Sequence, residues 1–410
     1  MTAASAAGGA GKGDGEGTRT EATSPLAWIA DELASLDRDA LLRRRRMVVP
    51  LRGGECEVEG RRAWNFAGND YLGLAASPEI EAAVRDAIVR YGTGAQASPL
   101  VTGRTILHAE LEERLARFEG ADAAILFPSG YAANSGTIPA LAGPDDVLFC
   151  DRLNHASLVD GCRLAGSRLR VYSHRDLAVL ERELAKAGEA RRRVIVTDSV
   201  FSMDGTLAPL REIGELARRY RAIVIVDEAH ATGVYGPRGR GVIEHLGLDE
   251  SAFVRIGTLS KGLGAQGGFV AGSRELVDWL SNKARTQMYS TALAIPAVAA
   301  ALSALDQLQS GDGLRRRLRE NTALLRGGLA AAGFEPLGDP GCPIVPVILG
   351  DPDRTLARAQ RLEERGFLVG AIRPPTVPRG TSRLRITVSA SQPPEAVRQL
   401  VDAMAQLRDL

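Results

Sequence analysis

Residues 222–230 read AIVIVDEAH and residues 253–262 read FVRIGTLSKG. The first is an unbroken apolar run that stops on Asp227, and the second, interrupted only by Arg255, stops on Thr258. A strand with one wet face alternates apolar and polar residues, so an unbroken run predicts a strand covered on both faces. The pattern recurs outward in AAILF (123–127), DVLFC (146–150), LRVY (169–172), RVIVTD (193–198) and GGFVAGS (267–273), with helical stretches between them. Strands alternating with helices predict an α/β domain on a mostly parallel sheet. Beyond Pro296, two long helical stretches precede IVPVIL (344–349), FLVGAI (367–372) and RLRITVSA (383–390), which predicts a smaller C-terminal α+β domain.

The expected division is a polar tail at 1–24, an N-terminal helix and arm at 25–75, a large domain at 76–295 and a small domain at 296–410. After Met1 the tail has no apolar side chain larger than alanine, too little to offset its ordering entropy, so it is expected to be disordered. Asp14, Glu16 and Glu21 break the acid-poor pattern of a transit peptide. Ser24-Pro25 has the form of a helix start for residues 25–42, and Arg43 to Arg46 read as its C-terminal end.

Composition narrows the function. Of 410 residues 45% are apolar, and 51 basic against 50 acidic side chains leave a net charge of +1. Such a balance gives no electrostatic reason to expect nucleic acid or an acidic membrane as partner. No apolar run approaches the roughly 18 residues of a membrane span, so a cytoplasmic protein is expected. Cys56, Cys150, Cys162 and Cys342 form no CxxC pair, which points away from a zinc site and a disulfide framework. Lysine occurs only at 12, 186, 261 and 283, so any chemistry that needs a neutral amine has four places to find it.

Three short matches compete for attention. Gly262-Leu-Gly-Ala-Gln-Gly267 fits GxGxxG, but it runs into a strand rather than opening a helix, which the dinucleotide fingerprint requires. Asp227-Glu-Ala-His230 spells a DEAH box, yet no lysine stands in a phosphate loop to serve it. His155, Asp227 and His230 have no further ligand at zinc-site spacing, so no metal is expected.

The strand ends carry a more coherent signal, because ligands of open parallel sheets bind outside the carboxyl ends of the strands. Ser129-Gly130-Tyr131 follows AAILF and opens a helix whose free N–H groups suit a phosphate. His155 follows DVLFC, Asp227 and His230 follow AIVIV, and Thr258-Leu-Ser260-Lys261-Gly262 follows FVRIG. Pyridoxal phosphate needs such a set: a lysine amine for its aldehyde, hydroxyl and backbone donors for its phosphate, and a carboxylate that keeps its pyridine nitrogen protonated. A lone lysine is ordinarily a solvated charge, but here four features stand in order.

FPSGYAAN, DRLNHASLVDGCRLA, TDSVFSMDGTLAPL, VDEAHATGVYGPRGRG and TLSKGLGAQGG resemble the α-oxoamine synthases, pyridoxal phosphate enzymes of the aspartate-aminotransferase fold. The resemblance runs from about Leu42 to the C-terminus. It implies that Lys261 holds the cofactor and moves protons at the substrate carbon. Asp227 pairs with the pyridine nitrogen, His155 stacks on the ring, and His230 bonds the ring oxygen. Gly130, Tyr131, Ser202 and Thr258 line the cofactor, with Ser290 or Thr291 reaching it from the second copy of a homodimer. Arg43, Asn69, Arg373 and Thr376 meet the substrates, Arg373 clamping the amino-acid carboxylate. Ser202 and Asp204 also suit a simple turn, and Asn69-Asp70 a cap. His108 reads as structural, and His174 and His245 as surface residues.

Within that family, NFAGNDYLGLAASP and AIRPPTVPRGTSRLRITVSA point to the member of biotin synthesis that condenses L-alanine with a pimeloyl thioester, on coenzyme A or acyl carrier protein. Two alternatives stay open: a sister synthase using glycine or serine with another thioester, and a non-catalytic effector-binding module of the same fold.

Overall fold

The computed structural model describes residues 24–310 and 312–408. The polar tail and Lys12 therefore lie outside the described residues. The chain forms two compact units divided after Arg44. In the first, the helix covers only Trp28–Arg38, starts from Ala27 without a side-chain cap, and ends well before Arg43. The expected start fails because the Ser24 hydroxyl takes the N–H of Leu26 instead, at 3.3 Å, so Pro25 stays outside the helix. The arginine cluster is not a helix end: Arg44 reaches Asp37 across 3.4 Å, while Arg46, in the second unit, grips Glu363 through two bonds of 2.6 Å.

The second unit holds two sheets. Three strands near its start, β1 (Val48–Pro50), β2 (Glu55–Val58) and β3 (Arg61–Phe66), precede seven that form the larger sheet. These are β4 (Ala123–Phe127), β5 (Val147–Asp151), β6 (Arg168–Tyr172), β7 (Arg193–Asp198), β8 (Ala222–Asp227), β9 (Val254–Thr258) and β10 (Gly268–Gly272). They are the seven runs expected from the sequence. The last three are β11 (Ile344–Gly350), β12 (Phe367–Ile372) and β13 (Ser382–Thr387). The smaller sheet has the order β1-β2-β3-β12-β13-β11, so residues 48–66 supply three strands that the sequence reading did not anticipate.

The larger sheet has the order β4-β10-β9-β8-β7-β5-β6, and only β10 runs against its neighbours. Successive residues of one strand enter different cores. Val224 and Val226 of β8 join the cluster that includes Leu111, Leu180 and Ile213 of three flanking helices, whereas Ile225 joins Ile138, Leu158 and Leu280 of three others. Both faces are thus covered, which is why the runs are unbroken. From β5 the chain moves outward to β6, and from β7 it moves the other way through β8 to β9. The switch point between β5 and β7 is where an open sheet leaves a crevice for a ligand. No helix among the described residues is long and apolar enough to cross a membrane.

Candidate active site

At that switch point His155 follows β5, and its backbone N–H donates to Asp198 at the end of β7, across 2.7 Å. Asp198 lies beside Asp227 in the strand register, so two buried carboxyls stand side by side. They divide their roles by environment. Asp227 receives the N–H of Ala229 at 2.7 Å and the amide of Asn134 at 2.6 Å, donors suited to an anion. Burial, and then the charge of Asp227, push the Asp198 carboxyl well above the usual carboxylate range.

Lys261 follows β9, and burial lowers its amine to about 8. Asp227 and Asp198 pull that value up, and the Arg385 guanidinium pushes it down. A substantial neutral fraction near physiological pH is what a nucleophilic amine requires. His230 is buried and held well below its ordinary pKa by desolvation and then by Lys261, Arg385 and His155, so its ring is neutral. His155 lies at the more open side, yet the surrounding protein still lowers its pKa, against the pull of Asp227. These mutual influences make Lys261, Asp227, Asp198, His155, His230 and Arg385 one cluster.

Next to Lys261 is a cradle for a phosphate-sized group. The helix Gly130–Leu141 is capped by Ser129, whose hydroxyl takes the N–H of Ala132 at 3.0 Å. A Cβ on Gly130 would come within 3.2 Å of Thr258, and one on Gly268 within 2.4 Å of the Ser129 carbonyl. The Thr258 hydroxyl donates to the Gly267 carbonyl at 2.8 Å, with Ser260 Oγ 3.3 Å away. A helix N-terminus facing hydroxyls and bare backbone suits an anion.

The other expected residues have varied fates. Asn69 accepts from Arg385 at 3.0 Å, while the cap expected there is made by Asp70, whose carboxylate takes the N–H groups of Leu74 and Ala75. Ser202 lies in the turn that Asp204-Gly205 also makes, and its carbonyl accepts from Arg385 Nε at 2.7 Å. Tyr131 is exposed and bonds Asp160. Arg373 follows β12, and Thr376 is exposed three residues later, its N–H on the Arg373 carbonyl. Thr291 is exposed on the segment after the short helix Arg285–Met288, and Arg43 is exposed in the first unit. His108 is structural, its Nε2 on the Leu293 carbonyl at 2.9 Å, and His245 is a surface residue. His174 is not: its Nδ1 faces the buried Asp151 at 3.1 Å and its Nε2 lies 3.0 Å from Thr206 Oγ1, bracing the 199–208 turn.

Sequence reasoning missed Tyr71, Asn134, Ser157, Asp198 and Arg385. Arg385 is buried and binds Ser202, Asn69 and Thr387, and its charge lowers both Lys261 and His230. All five stand inside quoted motifs. An uncharged partner, or a buried arginine inside a strand, gives no signal apart from that company.

The model of the family "Aminotransferase class I and II" matches residues 62–404. The chain belongs to that family. An 8-amino-7-oxononanoate synthase of Geobacter metallireducens is 48% identical over 381 residues, covering 92% of this chain and 97% of that protein. One of Aromatoleum aromaticum is 48% identical over 377 residues, covering 92% and 97%. Among solved structures, serine palmitoyltransferase of S. paucimobilis with PLP and myriocin bound is 29% identical with a TM-score of 0.88, covering 95% of this chain and 100% of that one. An 8-amino-7-oxononanoate synthase of Francisella tularensis is 26% identical with a TM-score of 0.73, covering 84% and 97%. For this aminotransferase-family chain the donor set fits pyridoxal phosphate: an amine lowered to about 8, a buried carboxylate held by two donors, two imidazoles held below their ordinary pKa, and a cradle that a Cβ would fill.

Proposed function

We propose that the chain is a pyridoxal phosphate-dependent acyltransferase that condenses L-alanine with a pimeloyl thioester, giving 8-amino-7-oxononanoate, carbon dioxide and the free thiol carrier, a step of biotin synthesis. The observation that carries this reading is 48% identity with a protein of that name across 92% of the chain. When bound, pyridoxal phosphate supplies an electron sink for the pair left on the amino-acid carbon by loss of a proton and, later, of a carboxylate.

The chain's own residues do the rest. Lys261 holds the cofactor through its amine, then takes and returns a proton at the α-carbon of alanine. Asp227 holds the pyridine nitrogen, His230 the ring oxygen, and His155 covers the ring face. Gly130, Tyr131, Ser202 and Thr258 line the cofactor and its phosphate. Asn69 and Thr376 meet the substrates, and Arg373, whose fork can bind a carboxylate in two places, clamps alanine.

A homodimer completes the site, with Thr291 reaching the neighbouring copy. In support, Leu100, Val101, Ile106 and Tyr289 are all exposed apolar side chains, Val101 and Tyr289 at 74% and 69%. Four buried free thiols suit the reducing cytoplasm.

A panel of acetyl, succinyl, pimeloyl and palmitoyl thioesters, on coenzyme A and on acyl carrier protein, tests the reading. With L-alanine the rate should peak at pimeloyl, since each buried methylene is worth roughly 0.8 kcal/mol, about fourfold. A best rate with glycine and the acetyl thioester would assign the chain to a sister activity.

A further inference from the structure

Asp227, Asn134, Ser157 and His155 form one unbroken chain of hydrogen bonds. Asn134 Nδ2 lies 2.6 Å from Asp227 Oδ2 and 2.8 Å from Ser157 Oγ. Ser157 Oγ lies 2.7 Å from His155 Nδ1. Both linking residues are almost wholly buried, at 1% exposure each. Their proton positions follow from what each group can do. The amide nitrogen has two hydrogens and accepts nothing, so it donates to both neighbours. Ser157 Oγ therefore accepts from Asn134, and its own hydrogen is left for His155. The backbone N–H of Ser157 points at the same ring nitrogen from 3.3 Å. Nδ1 thus faces two donors and must accept, which puts the hydrogen of the neutral ring on Nε2.

We propose that Asn134 and Ser157 are positioning residues that fix His155 as its Nε2–H tautomer and lock the ring in register with the Asp227 carboxylate. The inference rests on the reading of this cleft as a pyridoxal phosphate site, in which His155 and Asp227 meet the same ring. The direction of the chain is set at its anionic end. Turning the Asn134 amide over would press its oxygen against Asp227, acceptor against acceptor. The amide instead keeps the donating orientation, although its own Oδ1 is buried without a partner. The charges facing His155 are Asp227 and Asp160, which favour its protonation, and Lys261, which opposes it. Its backbone N–H is on Asp198. The two donors on Nδ1 add to burial and Lys261 in keeping the ring neutral.

Selective 15N-histidine labelling of the full chain, with and without pyridoxal phosphate, tests this through the nitrogen shifts, which report where each ring carries its hydrogen. His155 is assigned by the signal lost in His155→Gln. Wild type should show a protonated Nε2 and a bare Nδ1 at His155. Ser157→Ala should give mixed tautomers at His155 and a titration midpoint moved upward, with His108 unchanged, and Ser157→Thr should restore both. Should the alanine variant not fold, Ser157→Cys, a weaker donor, should shift the tautomers in the same direction. In the holoenzyme kcat of Ser157→Ala should fall roughly ten- to hundredfold. A hydrogen on Nδ1 in wild type would overturn the proposal. So would an unchanged tautomer in Ser157→Ala, whatever its activity. A tautomer shift in a protein that does not turn over alanine would instead count against the functional reading alone.

Discussion

The hydroxyl of Tyr71 lies 2.5 Å from Nδ1 of His230, both side chains buried between the two sheets' loops. Burial raises the Tyr71 pKa far above its ordinary value, against the pull of the Arg385 charge, so the phenol keeps its proton. A phenol that keeps its proton can donate to Nδ1, and the hydrogen of the neutral His230 ring is then on Nε2. Tyr71→Phe keeps the packing but strands Nδ1. We expect a loss of about 1–3 kcal/mol in stability and roughly tenfold or more in kcat, read by denaturant unfolding and steady-state kinetics. Unchanged stability would show that the ring turns to another partner.

Lys261 predicts a pH dependence with a definite sign. Its folded-state pKa of about 8 is below the ordinary 10.5, so between those values the unfolded chain holds a proton that the folded chain has released. The cofactor-free protein should therefore gain stability relative to Lys261→Met as pH rises from 8 to 10.5, and carry the full penalty below 8. The rate of reconstitution with pyridoxal phosphate should rise with a midpoint near pH 8. Arg385→Gln removes a charge that lowers this amine, so the midpoint should move up. A midpoint near 10.5 in wild type would contradict the electrostatics described here.

Two glycines of the cradle meet neighbours of different stiffness. A Cβ on Gly268 would stand 2.4 Å from a carbonyl oxygen, 2.6 Å from its carbon and 2.7 Å from a backbone nitrogen, none of which can yield. On Gly130 the neighbours are two atoms of the Thr258 side chain at 3.2 Å. Gly268→Ala should weaken cofactor binding by at least tenfold more than Gly130→Ala, measured by titrating the apoprotein. Equal effects would show that the cradle is not rigid.

The larger sheet was legible because burial on both faces writes itself as near-continuous apolar runs, and the cluster of Lys261, Asp227, His155 and His230 because these side chains stand where those runs stop. β1 to β3 were not, since β1 and β2 have only three and four residues and β3 opens on Arg61 and Arg62, exposed as a loop would be. The helix start at Ser24 misled because a Ser-Pro pair signals a cap without saying which N–H the hydroxyl will take. Asn134 and Ser157 stayed silent for another reason. Their role depends on two strand ends meeting across the switch point, which no local pattern records.

The charge on Asp227 is open to a direct test. Asp227→Asn keeps the shape and an acceptor for Ala229, so the cofactor should still bind. Without an anion to keep the pyridine nitrogen protonated, turnover of alanine should fall by roughly a hundredfold or more. Near-normal turnover would give the role to Asp198, the adjacent carboxyl.

The central claim is that Lys261 holds the cofactor, and it is tested most directly by borohydride reduction of the holoenzyme followed by peptide mapping. Lys186 is exposed and paired with Glu183 at 2.9 Å, and Lys283 is exposed with its amine 5.4 Å from the Trp279 ring centre. Lys261, by contrast with these two, has its amine lowered to about 8 by burial and stands beside a carboxylate and the phosphate cradle. The account predicts a single reduced pyridoxyl label on the peptide containing Lys261. A label on Lys186 or Lys283, with Lys261 unmodified, would contradict it.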